Sequence, residues 1–289
     1  MIQRALFAFL ASTAAILPAA GANEPAEAQP KWNKPIEPFR IAGNLYYVGT
    51  AGLAAYLLTD PAGHVLIDGA MPQSADLIAA NIGRLGFRVE DVEIILNNHA
   101  HLDHAGGLAR LKSLSGARLL ASAADRPALE SGTVPYRDEY WFFPPVPVDR
   151  IVADGEIVRL GASSLTAHLT PGHTRGCTTW TTRVIEQGRP LDVMFACSLT
   201  VAGQPLVNDH RYPEAAVDFA GTFARLRRLS ADIFLGFHGN QFDLDRKRAR
   251  LGSDPLAFVD PGELRAQVDR AEAGFQREME RQRSSAAEE

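Results

Sequence analysis

Apolar and polar positions along the chain follow two rhythms. Short runs of β type occupy residues 45–48, 54–59 and 64–68, and Asp60-Pro61-Ala62-Gly63 between the last two is turn chemistry. A helical rhythm follows, in which Ser74 is placed to cap a helix reaching Arg84. Leu77, Ile78, Ile82 and Leu85 share one side of it, and Gly86 ends it. Residues 92–96 are nearly all apolar, as suits a strand covered on both faces, and residues 105–114 read as a helix. Further strands are predicted at 118–121, 157–160, 165–169, 178–183 and 193–196. Residues 213–229 make an amphipathic helix with Ala216, Phe219, Phe223, Leu226 and Leu229 on one face. A strand at 233–236 follows, and a charged helix runs from Pro261 to near Arg283.

Three stretches fall outside these rhythms. Residues 1–22, "MIQRALFAFLASTAAILPAAGA", carry one early positive charge, an apolar run too short to span a bilayer, and small residues around an Ala20-Gly21-Ala22 cleavage site. Ala26-Glu27-Ala28 is a fallback site. This is the pattern of a secretory signal peptide, so a periplasmic or secreted protein is expected, and removing the leader takes Arg4 with it. Residues 23–38, with four prolines, read as an extended arm. The segment "YRDEYWFFPPVPVDR" is an aromatic, proline-rich loop whose Trp141, Phe142 and Phe143 suit either a cleft wall or the core. From residue 39 to 289 no linker interrupts the pattern, so a single layered α/β domain is expected.

Composition narrows the partners. The chain has 289 residues, 46% hydrophobic and 22% charged, with a formal net charge of −5. No basic block or aromatic-basic interleaving points to nucleic acid, and no other apolar stretch approaches membrane-spanning length. Cys177 and Cys197 are the only cysteines. An even count in an exported chain favours a disulfide, and two small buried hydrophobes are the alternative.

The chemistry concentrates in "ILNNHAHLDHAGG", where His99, His101, Asp103 and His104 follow the strand at 92–96 directly. In an extended turn His99 and His101 point the same way, and Asp103 and His104 project to a neighbouring point as the chain begins to coil. Four ligand-type side chains exceed what one tetrahedral ion takes from one segment, so two adjacent ions are implied. Imidazoles with one carboxylate are a zinc-type set, whereas calcium or magnesium would call mainly for oxygen. His173 in "LTPGHTRG" and His238 in "LGFHGN" also lie just beyond strands and beside glycine. They argue against a surface turn that binds metal adventitiously. Of the other histidines, His64 reads as surface, His168 as packed or solvent-facing within "LTAHL", and His210 as a loop residue.

His99-x-His101-x-Asp103-His104, with His173 and His238 downstream, resembles the metallo-β-lactamase superfamily. "TPGHTRGCTTW" and "ACSLTVAG" resemble its class B3 enzymes in particular. The resemblance runs from "VLIDG" to "GFHGN" and implies a four-layer αβ/βα sandwich with a dinuclear site at one edge. It implies two zinc ions, one held by His99, His101 and His173 and the other by Asp103, His104 and His238. Asp68, in "HVLIDGAMP", would steady the metal-bearing turn. The implied activity is β-lactam amide hydrolysis by a metal-bound hydroxide, with Asp103 orienting it and taking its proton.

Many phosphodiesterase, glyoxalase II and lactonase relatives carry a bridging aspartate after the strand that here ends "VMFACSLT". This chain has Cys197-Ser198 there. Ser198 and Thr200 are positioned like residues that bind the substrate carboxylate in class B3 enzymes, and ordinary strand-end hydroxyls are the alternative. The resemblance also favours a Cys177–Cys197 disulfide. Competing functions are a lactone or thioester hydrolase with the same metals, and an exported zinc-binding protein without catalysis. A monomer acting on a small-molecule β-lactam is the expectation.

Overall fold

The computed structural model describes residues 31–136 and 142–288. The predicted leader therefore lies outside the described residues, as do Trp141 and the first part of the arm.

Among the described residues, twelve strands form two sheets. The larger takes strands in chain order: β1 (Phe39–Ala42), β2 (Leu45–Tyr47), β3 (Tyr56–Asp60), β4 (Gly63–Ile67), β5 (Val92–Leu96), β6 (Arg118–Ser122) and β7 (Arg150–Val152). The smaller runs β12-β11-β10-β9-β8, from β8 (Ile157–Leu160), β9 (Ser163–Leu169), β10 (Thr178–Glu186), β11 (Arg189–Phe195) and β12 (Ile233–Leu235). Neighbours from β1 to β4 are antiparallel, and those from β4 to β7 are parallel.

The helices are α1 (Ala75–Arg84), α2 (Leu102–Ala105), α3 (Leu108–Ser115), α4 (Arg126–Ser131), α5 (Ala215–Leu226), α6 (Leu244–Arg250) and α7 (Glu263–Glu288). Side chains alternate across the larger sheet and so divide its core in two. Leu57, Leu66, Ile95 and Leu119 pack with Ile78 and Ile82 of α1 and Leu108 and Leu111 of α3. Leu58, Val65, Ile67, Ile94, Leu96 and Leu120 face the other way, into a cluster with Trp180, Val184 and Val193 of the second sheet. Phe219 and Phe223 of α5 and Val268 and Phe275 of α7 complete that cluster. Helices thus cover the outer faces of two facing sheets, the αβ/βα sandwich expected from sequence. Each fully buried Leu or Phe in these layers contributes about 1.5–3 kcal/mol.

Three local expectations are corrected. Ser74 stands at the start of α1 but makes no capping bond; its hydroxyl donates to Asn33 Oδ1 at 2.6 Å instead. The helix expected at 105–114 is two pieces, α2 and α3, parted at Gly106-Gly107, and a Cβ on Gly107 would fall on the Gly69 carbonyl oxygen. His64 is buried rather than on the surface, its ring edge-on to Phe87 at 5.1 Å. No helix among the described residues is long and apolar enough to cross a membrane.

Candidate metal centre

The centre lies where strand ends from both sheets meet. β5 runs out at Leu96, and His101, with φ and ψ of −99° and 156°, is extended just before α2 begins. Two bonds clamp this turn to the second sheet: Thr178 N–H donates to Asn98 O at 2.8 Å, and Trp180 Nε1 donates to Asn97 O at 3.3 Å. His173 comes from the loop between β9 and β10, and His238 from the end of β12, where it bridges Leu53.

The six candidate ligands gather into two groups. Donor atoms of His99, His101 and His173 lie within 4.8 Å of one another, and so do those of Asp103, His104 and His238. Cys177 and Cys197 also approach His99, but their sulfurs are joined in a disulfide and offer no thiolate. In the second group the spacing is tight, with Asp103 Oδ2 3.4 Å from His104 Nε2 and 3.3 Å from His238 Nε2. The two imidazole Nε2 atoms are 3.3 Å apart.

Hydrogen bonds behind the rings set which nitrogen faces inward. The Thr200 carbonyl can only accept, so His173 Nδ1, 2.7 Å away, must donate, and Nε2 is the ring nitrogen that keeps its lone pair for the cluster. Asn98 gives its amide NH2 to Asp68, which turns its oxygen to His99 Nδ1. His99 Nε2 is then buried with no hydrogen-bond partner, a state that costs about 1–3 kcal/mol unless something electrophilic meets it. An orphaned, buried imidazole lone pair aimed at two other imidazoles fits a metal ion.

Asp68 is fully buried behind the turn. It accepts from Asn98 N at 2.9 Å and Asn97 Nδ2 at 3.3 Å, and pairs with His104 Nδ1 at 3.1 Å. Its backbone sits at φ 63°, a left-handed conformation that aspartate tolerates better than most residues. Burial raises its pKa against the pull of His104. Burial also works against a charge on His104, yet Asp103 and Asp68 outweigh it and lift the imidazole to about 10. For Asp103, burial pushes the carboxyl up, but His104 and His238 leave it well below the usual range. His99 is driven far below its ordinary value by burial and by the neighbouring imidazoles.

A cleft of about 300 Å³ opens over both groups. Ser198 and Thr200 line it, with their hydroxyls 3.0 Å apart. Trp32, Asn240 and Gln241 complete the wall, and the Trp32 ring lies 5.6 Å from that of His238. None of these three, nor Asn98, was singled out by sequence reasoning. Trp32 sits in an aperiodic arm, whereas the Asn97-Asn98 pair at a strand end was a signal available to be read. Phe142 is exposed and Phe143 packs in the outer core beneath α4, so neither walls the cleft. His210 is exposed as well.

Comparison with known proteins agrees with this architecture. The metallo-β-lactamase superfamily profile matches residues 51–183. A subclass B3 metallo-β-lactamase of Bradyrhizobium japonicum is 42% identical and superimposes with a TM-score of 0.86, covering 90% of this chain and 99% of that one. A metallo-β-lactamase from Legionella gormanii is 38% identical, with a TM-score of 0.84 over 87% of this chain and 98% of the other. Among curated proteins, a hydroxyacylglutathione hydrolase of Rhodopseudomonas palustris is 34% identical over 119 residues, 41% of this chain and 39% of that protein. The chain thus spans between about a quarter and two fifths of the curated relatives it matches.

The chain belongs to the metallo-β-lactamase superfamily, a family of metal-dependent hydrolases. Within that superfamily it resembles the subclass B3 enzymes over most of its length.

Proposed function

We propose that the protein is an exported β-lactamase that hydrolyses the amide bond of β-lactam antibiotics with two zinc ions. The observation that carries the metal assignment is the spacing of Asp103, His104 and His238. Ligands held at about 2.0–2.1 Å in a tetrahedron stand about 3.3–3.4 Å apart, and the three donor atoms are separated by 3.3 to 3.4 Å. Calcium, at about 2.3–2.6 Å with mainly oxygen donors, would need a wider, different set.

His99, His101 and His173 would hold one ion, and Asp103, His104 and His238 the other. When bound, zinc would lower the pKa of water toward neutrality and polarise a carbonyl. Asp103 is the residue placed to orient that water and accept its proton, because its charged neighbours keep it ionised against the pull of burial. Ser198 and Thr200 offer two hydroxyl donors on one wall, which suits the acceptor-only carboxylate of a β-lactam. No serine nucleophile is needed, and Ser198 lacks a nucleophile-elbow setting.

Similarity to β-lactamases spans nearly the whole described chain, whereas similarity to the hydroxyacylglutathione hydrolases covers about two fifths of it. That balance, with Cys197-Ser198 in place of a carboxylate, favours β-lactams over thioesters. Export is supported by the leader pattern and by the Cys177–Cys197 disulfide, which persists in an oxidising compartment. The deciding experiment follows opening of a chromogenic cephalosporin by the zinc-loaded protein, with and without a chelator. Turnover abolished by the chelator and restored by zinc is expected. No turnover with two zincs bound, alongside hydrolysis of a hydroxyacylglutathione thioester, would overturn the substrate assignment.

A further inference from the structure

Asp125 is a buried carboxylate that the site described so far does not use. It follows β6, immediately before α4, and is 1% exposed. Its Oδ2 accepts from Ala100 N at 3.0 Å and from the Thr174 hydroxyl at 2.9 Å, while its Oδ1 accepts from Gly176 N at 2.9 Å. Ala100 lies between His99 and His101, and Thr174 follows His173. The first turn leaves the larger sheet and the second belongs to the smaller one, so this side chain spans the gap between the layers.

Gly176 makes the approach possible, since a Cβ there would meet the Ser122 hydroxyl and the Asp125 carboxyl. Burial raises the Asp125 pKa to about 6 against the three hydrogen bonds. Among the described residues it has no ion pair. A desolvated carboxylate of this kind is a poor way to gain stability, which directs attention to what it holds in place.

We infer that Asp125 is a positioning residue that sets the distance between the His99–His101 turn and the His173 loop, and so the fit of the three-imidazole cluster to its ion. Asp68 acts on the other cluster through His104, and Asp125 is its counterpart. The inference rests on the reading that these imidazoles hold zinc, but it is independent of the substrate.

Asp125→Asn keeps the size but breaks the bonding logic. All three partners are donors, and an amide must turn its own NH2 toward at least one of them. The test is zinc affinity, measured by competition with a chromophoric chelator in two backgrounds. His238→Ala leaves the three-imidazole cluster intact, and His173→Ala leaves the Asp103 cluster intact. Adding Asp125→Asn to the first background is expected to weaken zinc binding by about 10–100-fold, and adding it to the second to change affinity less than threefold. Equal losses in both would reduce Asp125 to a general folding residue, and no loss in the first would remove the role altogether. Should Asp125→Asn fail to fold, Thr174→Val deletes one strand of the tie while keeping the side-chain shape. It should show the same selectivity at smaller size, with Thr174→Ser restoring wild-type affinity. Unchanged zinc affinity in Thr174→Val would overturn the inference. Because the readout is zinc rather than turnover, a failed cephalosporin assay leaves this result standing.

Discussion

The two ligand clusters share one cleft but are built on opposite electrostatic plans. Around His99 and His173 the rings are steered by neutral oxygens, the Asn98 amide and the Thr200 carbonyl. Burial with imidazole neighbours keeps His99 a bare base. Around His104 the steering group is the buried Asp68 carboxylate, and Asp103 supplies a second charge. There the imidazole is held protonated, up to about 10. His99 therefore offers its lone pair outright, while His104 offers one only after a proton leaves. Neutral steering keeps a site ready for a cation; anionic steering makes the ligands more basic and ties binding to proton release.

The sharpest way to break this contrast is to remove the one ligand that is itself an anion. Asp103→Ala should lower turnover by on the order of 10²–10⁴-fold and leave one zinc bound, measured by metal analysis beside initial rates. Full activity with both zincs retained would end the dinuclear role. Next in size is the disulfide, which backs the neutral cluster: Cys197 Sγ is 3.7 Å from His99 Nδ1. The cysteines are 20 residues apart, and closing a loop of that size contributes about 3 kcal/mol. A Cys177→Ser/Cys197→Ser double variant should lose about that much in denaturant unfolding. Asp68→Asn comes third, with about 10–100-fold weaker zinc binding at the Asp103 cluster and a smaller loss at the other. Equal losses would show that the clusters are not steered separately.

How much of this was legible depends on the distance over which each residue finds its partner. β5 and the ligands after it could be read because an apolar run and its histidines are contiguous. His173 and His238 were readable for the same reason, each following a strand and beside a glycine. Asp125 was not, because an aspartate before a helix resembles a cap and its partners lie 25 to 51 residues away. Ser74 misled in the reverse sense, since its pattern is that of a cap while its hydroxyl serves Asn33 across 41 residues. The break between α2 and α3 was written in Gly106-Gly107, but its reason, close packing on Gly69, is tertiary. Local rhythm specifies elements; it does not say which buried polar groups will meet.

Trp32 tests whether the cleft wall and the metal clusters are separable. Thr50 donates its hydroxyl to the Trp32 carbonyl at 2.6 Å, which fixes the arm where the indole borders the cleft and approaches His238. The indole carries no ligand atom, and its contact with a ligand ring is that aromatic one with His238, so its truncation should leave both zinc affinities within about twofold. The change should fall on substrate fit, because the ring occupies part of a cleft of only about 300 Å³. Trp32→Ala is expected to move KM by about three- to tenfold, the range of one modest apolar contact, with kcat little changed. Bulky and small β-lactams would separate the two possible signs: a lower KM for bulky substrates means the indole obstructs the cleft, and a higher KM for all means it grips them. A loss of zinc from the Asp103 cluster in this variant would instead mean that the indole holds His238 in place, and that the wall is part of the metal centre.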